Sequence, residues 1–394
     1  MSRVVKIGEV CEIVSGTTPK SNIAENWGGE FQWVTPAELN ENMVIIDKTE
    51  RTVTEKGIKS SGLKPFPKGT VLLSSRAPIG KVAIAGVEMY CNQGFKNMIC
   101  SNEIFNKYLF WFLKGKKKYL NSLGRGATFI EISKAIVQNI EIELPMFEKQ
   151  TEIAKRFDCV SELLNDYKLQ SIMLDELVKS RFVEMFGDPV TNPMEWDVKR
   201  LKELSNKIMS GNTPKGGNQV YVEEGITFFR SQNVWKNKLD LDNIAYIDKE
   251  THMKMEKSSL KNKDILMTKT GRINTENSSL GRAALYLGKD DCANINGHVY
   301  LIRLKKDIFN EFVLFILTTN EYREYIRRVC VGGIDKRQIN KEHLEEFPII
   351  LPPMELQSEF VFLLHQVKKL KSETQKAIDN TQMLLDSLIQ KYFE

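Results

Sequence analysis

Apolar positions along this chain follow two rhythms, and each rhythm occurs twice. Short stretches of sheet-forming residues broken by Gly and Pro, among them Val71-Leu72-Leu73, Val82-Ala83-Ile84 and Asn97-Met98-Ile99, predict strands. A helix with an apolar, aromatic face is predicted over about 105–120 and again over about 309–329. The rhythm then changes. Leu356, Phe360, Leu363, Val367, Leu370, Thr374, Ala377, Thr381, Leu384 and Leu388 step by four and by three, the heptad signal of a coiled coil. A rougher stripe, with Ile153, Phe157, Val160, Leu163, Leu164, Tyr167, Leu174 and Leu177, marks the corresponding stretch of the first half. Pro145 and Pro353 stand where these helices begin, and Gly187 with Pro189 marks a sharp stop. Helices over about 148–186 and 355–393 would each be on the order of 58 Å long at ~1.5 Å per residue.

The two halves are copies of one another. Ser15-Gly16-Thr17-Thr18-Pro19-Lys20 returns as Ser210-Gly211-Asn212-Thr213-Pro214-Lys215, and Ile132-Ser133-Lys134 as Ile339-Asn340-Lys341. Leu144-Pro145, with Gln150 beyond it, returns as Leu351-Pro352, with Gln357. Repetition in one order over such a length implies a pseudo-symmetric molecule. The expected fold is α+β: mixed globular modules at 1–145 and 188–352, separated by long helices at 146–187 and 353–394. The cheapest partner for each heptad stripe is the other, in an antiparallel, pseudo-twofold coiled coil. Each helix packing only on its own module is the alternative, and Thr374 and Thr381 leave room for an outside protein.

Composition narrows the picture only a little. The net charge of +5 over 394 residues permits a polyanionic partner if basic residues cluster, without announcing one. Six cysteines without a C-x-x-C pair and four isolated histidines give no metal-site spacing and no disulfide framework. Reduced thiols, no signal-peptide core and no apolar run of membrane-spanning length point to the cytoplasm.

Catalytic motifs are missing: no P-loop, no dinucleotide fingerprint, no nucleophile elbow, no Asn/Asp-Pro-Pro-aromatic motif of amino-methyltransferases. What remains can bind. Pro78 and Gly80 shape a loop, Ser74 to Lys81, that would hold Arg76 clear of a sheet; the matched stretch supplies Lys269, Arg272 and Arg282. Arg and Lys suit guanine edges and phosphates, Asn and Gln adenine edges. The amide candidates are Asn92 and Gln93 in one copy and Gln232, Asn233 and Asn296 in the other, although Asn-Gln-Gly and Asn296-Gly297 are equally common turn chemistry. Arg230-Ser231 follows Phe228-Phe229 where the first copy has Trp33-Val34-Thr35.

Ser15 to Lys20, Leu72 to Gly80, Asn92-Gln93-Gly94-Phe95-Lys96, then Leu-Pro and a long helix headed by Glu and Gln, together resemble a target-recognition domain of a type I restriction-modification specificity subunit. The second copy is similar, with looser motifs. The resemblance covers essentially the whole chain. It implies two target-recognition domains, each reading one half of a bipartite, asymmetric double-stranded DNA sequence, with the helices fixing the gap. It implies two adenine-N6 methyltransferase subunits docked on the helices, and a translocating restriction subunit, with S-adenosylmethionine and ATP on those partners and no cofactor or catalysis in this chain. The DNA-contacting set it suggests extends the loop candidates with Lys20, Thr35, Ser74, Ser75, Lys81, Lys96 and Arg125, and, in the second copy, with Lys215, Thr270, His298 and Arg337. A duplicated coiled-coil adaptor that binds only protein is the competing expectation.

Overall fold

In the computed structural model, described over residues 2–125, 130–272, 275, 277–333 and 336–394, the chain forms two compact units. One comprises Met1–Ile172 with Ser372–Glu394; the other is Met173–Lys371. Both are built to one plan.

In the first unit a five-stranded sheet runs Cys11–Val14, Asn97–Cys100, Val71–Leu73, Val82–Ala85 and Ile45–Ile46, in that spatial order. A three-stranded sheet sets Trp27–Val34 between Thr52–Val53 and Tyr90–Cys91. In the second unit Ser205–Ser210, Val299–Leu304, Ile265–Thr268 and Ala283–Leu285 repeat the first four strands of that order. Ile226–Phe229 lies parallel to Ala293–Ile295, as Trp27–Val34 does to Tyr90–Cys91. Each unit is closed by a ladder between its beginning and its end: Arg3 faces Leu144, and Asp197 faces Leu351.

The helix expected over 105–120 is two, Asn106–Gly115 and Lys117–Ser122, and the one over 309–329 is Asn310–Thr318 and Asn320–Val329. Thr319 makes the second break: its backbone is extended and its side chain accepts the Tyr322 N–H, so it starts a new helix instead of continuing the old.

The long helices, Phe147–Phe186 and Met354–Phe393, start as the repeated Leu-Pro…Gln pattern dictates. Gln150 is buried and its Nε2 donates to the Pro145 carbonyl at 2.8 Å; buried Gln357 donates to Pro352 at 2.7 Å. Gly187, at φ +73°, ends the first.

Within each unit the two helical stretches pair antiparallel. In the first, Gln170 meets Thr374 at 3.4 Å while Arg156 meets Tyr392 at 3.1 Å, and Phe157 stacks between Trp111 and Phe393 at 5.2 and 5.3 Å. In the second, Asp175 meets Lys371 at 2.6 Å, Arg181 meets Glu359 at 2.8 Å, and Phe182 meets Phe360 at 5.3 Å.

The seam is not quite where the sequence pattern put it. Ile153, Phe157, Leu164, Phe360 and Val367 are buried, and Val160, Leu356, Leu363 and Leu388 half-buried. Leu370 and Leu384, however, are 46% and 49% exposed. A covered line runs through Phe360, Leu364, Val367, Lys371, Thr374, Ile378, Thr381, Leu385, Leu388 and Tyr392, the same alternation of four and three displaced by one residue at every second position. Leu363 and Ala377 are as covered as Leu364 and Ile378 beside them, whereas at Leu370 and Leu384 the apolar residue one step earlier drew the reading off the seam. Lys371 is the reason it was passed over: a charged residue holds a seam position because Asp175 faces it. Leu163 and Leu177 on the first helix are likewise exposed.

Candidate nucleic-acid interface

Elementary sterics place the repeated Ser-Gly motif. A Cβ on Gly16 would fall 1.8 Å from the Cys91 carbonyl oxygen, and one on Gly211 would fall 1.9 Å from that of Ile295. Only glycine allows these loops to lie against the parallel strand. Lys20 and Lys215, at the ends of the two motifs, are exposed.

Beside it stands a second repeated device. The Ser74 hydroxyl accepts the backbone N–H of Lys81 and donates to the Pro78 carbonyl, both at 2.8 Å. Thr268 accepts the N–H of Arg282 at 2.9 Å. Gly80 and Gly281, with φ of +88° and +67°, each return an N–H to the carbonyl of that Ser or Thr at 3.1 Å. The next residue pins the loop on both sides: Ser75 to Gly94 and Ile132, Lys269 to His298 and Ile339. Ser74 and Ser75 are fully buried, so these two candidates hold the loop and do not reach out of it.

These hydrogen bonds fix equivalences between units. Arg76 corresponds to Thr270, since Arg76 pairs with Glu131 and Thr270 with Gln338. Lys96 corresponds to Tyr300, each following the residue that closes the loop. His298 stands where Gly94 stands.

The side chains differ sharply. In the first unit Arg76 Nε donates to Glu131 Oε2 and Lys96 Nζ to Glu131 Oε1, both at 2.9 Å. Burial works against the Glu131 charge, but hydrogen bonds from Lys96 and Arg76 outweigh it and hold the carboxyl below its ordinary range. Lys96 is only 7% exposed, which corrects its assignment as a DNA contact: its ammonium anchors the carboxylate. Arg125 is exposed and pairs through its backbone with Glu131. In the second unit Lys269 lies over the Tyr300 ring at 5.5 Å, and the Tyr300 hydroxyl donates to the Ile339 carbonyl at 2.9 Å. Arg272 and His298 are exposed; Thr270 and Arg337 are half-buried beside them.

Turn chemistry claims part of the amide set. Asn92 Oδ1 accepts the Gly94 N–H and Asn296 Oδ1 the His298 N–H, at 2.9 and 3.0 Å. Gln93 is exposed. Thr35 donates to Glu38 at 2.8 Å, and Lys81 Nζ to the Pro36 carbonyl at 2.9 Å, so both are engaged at home. Asn233 is buried, taking the Arg230 N–H and donating to Asp240, which removes it as a base reader. Ser231 is half-buried, Gln232 is exposed, and Arg230 reaches the Asn243 carbonyl.

Three groups escaped the sequence reading. Glu131 carried a signal, the match of Glu131-Ile132 with Gln338-Ile339. Trp235 carried none: it is exposed, with the Arg282 guanidinium 3.8 Å above its ring. Arg51 sits 3.5 Å over Trp27. Burial, with Arg323 close by, lowers the pKa of both Arg282 and Lys236, at Lys236 against the opposing pull of Glu321 and Asp175, so basic groups gather here. Such a cluster suits phosphates. Among the described residues no His, Cys, Asp or Glu set is gathered as a metal site, and no helix is long and apolar enough to cross a membrane.

Comparison with known proteins agrees with this duplicated plan. The model of the type I restriction modification DNA specificity domain matches residues 2–173 and 193–381. The MjaIX type I restriction enzyme specificity subunit of Methanocaldococcus jannaschii is 30% identical, covering 98% of this chain and 91% of that protein. The StySPI specificity subunit of Salmonella potsdam is 22% identical over 98% of this chain and 86% of its own length. The fold matches the S subunit of a type I restriction-modification system from M. genitalium, with a TM-score of 0.59 at 14% identity, covering 100% of this chain and 96% of that one. A chain solved in work on complex assembly and conformational transition of the type I R-M system gives 0.61 at 19% identity, covering 100% and 97%. With two copies of the domain in the right order and a relative similar over nearly its full length, this chain belongs to the family of type I restriction-modification DNA specificity subunits.

Proposed function

We propose that each unit reads one half of a bipartite DNA target through its Ser74–Lys81 or Thr268–Arg282 loop and the strands beside it. The observation that carries this is one backbone frame presenting unlike side chains: Arg76 with Glu131 and Lys96 in one unit, Thr270 with Lys269 and Tyr300 in the other. Equal frames suit equal duplex geometry, and unlike side chains suit unlike base sequences. Arg282, Lys236 and Arg323 supply phosphate contacts in the second unit.

The helices serve as docking surface for two adenine-N6 methyltransferase subunits. Leu163, Met383 and Leu384 in the first unit, and Leu177, Phe362 and Leu370 in the second, are large apolar side chains left exposed beside a seam that is already filled. Exposed apolar stripes of this kind mark partner surfaces. The partners carry S-adenosylmethionine and, for a translocating restriction subunit, ATP; this chain contributes recognition and no catalytic step. Methylation requires the adenine to leave the stack, and the enzyme that performs it must lie next to the reader.

The test is a genome-wide map of N6-methyladenine in cells with and without this chain, its methyltransferase partner present throughout. Loss of one bipartite, asymmetric motif supports the reading. An unchanged map supports a protein-binding adaptor instead.

A further inference from the structure

We propose that Glu131 is a positioning residue for base recognition in the first unit: seated on the buried Lys96 ammonium, it aims Arg76 at a guanine in that unit's half-site. This rests on the function proposed above and adds to it one base and the group that selects it.

Arginine recognises guanine best through two parallel N–H donors meeting O6 and N7. Glu131 Oε2 takes the Arg76 Nε–H, and among the described residues no acceptor stands against Nη1 or Nη2. The guanidinium is therefore tethered at its root and left with a two-donor fork at its tip, while the side chain as a whole is 44% exposed. The carboxylate that tethers it is itself fixed. Its other oxygen is held by Lys96, its backbone N–H and carbonyl both pair with Arg125, and the following residue, Ile132, donates to the Ser75 carbonyl. An arginine so held loses less freedom on meeting a base than an untethered one. Lys96 also solves an electrostatic difficulty. An acid near a phosphate backbone would repel it, but Lys96, Arg76 and Glu131 together keep one net positive charge.

An ion triad that merely stabilised the loop would be wanted in both units. The second unit keeps the same anchor, pinned by the same backbone hydrogen bonds at the foot of a longer loop, with Gln338 in place of Glu131, Tyr300 in place of Lys96 and Thr270 in place of Arg76. Where the arginine is absent, so are the acid that orients it and the lysine beneath. The triad thus goes with the arginine, not with the loop. The guanine contact belongs to the first unit alone, which makes the target asymmetric.

The full chain, in complex with its methyltransferase subunits, is used to select bound duplexes from a pool of random-sequence double-stranded DNA, which are then sequenced. Unmodified complex should enrich one half-site with a required guanine. Arg76→Ala and Glu131→Gln should each reduce preference for that guanine by about 5- to 150-fold, the range of one good bidentate contact. The other half-site should stay as selective as before, and Glu131→Asp should restore part of the preference. Glu131→Gln leaves a buried ammonium short of charge, so Lys96→Met with Glu131→Gln is tested alongside it; with the triad dismantled and the thermal transition intact, loss at the same base is expected. Undiminished guanine preference in either variant overturns the positioning role. So does a uniform loss of affinity across all sequences, which is what a purely structural triad would produce. If the unmodified complex enriches no bipartite sequence at all, the functional reading falls, and this inference with it.

Discussion

Replacing Phe360 with Ala should be among the most damaging single changes outside the recognition loops, while Leu370→Ala, ten residues along the same helix, should be almost silent. Phe360 is fully buried, its ring 4.9 Å from Phe315, 5.3 Å from Phe182, 5.6 Å from Phe186 and 6.3 Å from Phe312. This five-ring cluster joins both helical stretches of the second unit to the helix at Asn310–Thr318. Truncating a buried Phe costs about 3–5 kcal/mol, and the surrounding rings are drawn from two other helices, which limits how far the cavity can collapse. Leu370 is 46% exposed, and such a surface change is worth about 0.5 kcal/mol or less. Urea unfolding followed by circular dichroism reads the difference. With a slope of about 2–3 kcal/mol per molar, Phe360→Ala should lower the midpoint of the second unit's transition by about 1–2 M, and Leu370→Ala by under ~0.3 M. Equal shifts would refute the placement of the seam. The pair Leu385→Ala and Leu384→Ala repeats the comparison in the first unit, with Leu385 at 8% exposure the damaging member.

Gly16→Ala and Gly211→Ala should each cost more than ~2 kcal/mol, because the new methyl meets a backbone carbonyl that cannot swing aside; Gly28→Ala, with open space around it and φ of +79°, should cost only about 1 kcal/mol. Thermal melting ranks the three, and equal losses would remove the close-approach argument. Glu131 titrates below its ordinary value of 4.5, so its stabilising contribution is present above that pH and drains away as pH falls through the lower, folded-state value. The stability gap between unmodified protein and Glu131→Gln should therefore be widest near neutral pH and close in acid; a gap that ignores pH would show that the charge is not what holds the triad. Adding seven residues to each long helix, where Gln170 faces Thr374, preserves the seam's repeat and lengthens the pair by ~10 Å. The methylated motif should then tolerate a gap about three base pairs longer at 3.4 Å per base pair; an unaltered gap refutes a ruler role.

The duplication was legible because both copies retain residues that backbone geometry demands: Gly16 and Gly211 against a strand, Gly80 and Gly281 at positive φ, Gln150 and Gln357 under a proline carbonyl. Their side chains or lack of them serve local needs, and local needs show in local sequence. The helix pair was legible from its period, but a stripe two residues wide looks alike from one dimension, and Lys371 disguised the true line. The recognition surface was legible only as loops. That Asn92 closes its own turn was within reach of the Asn-Gln-Gly pattern, but whether Lys96 reaches solvent or sinks beneath Glu131 depends on a partner 35 positions away. No pattern of neighbours encodes that.

The second unit is one unbroken stretch, Met173–Lys371, whereas the first needs Ser372–Glu394 to cover Phe157, Tyr108 and Phe112 with Phe393. During synthesis the portion made earliest must therefore wait, its aromatic floor open to water, until every residue of its sibling has left the ribosome. The later-born half matures first, and chaperone capture of nascent chains should concentrate on the older one.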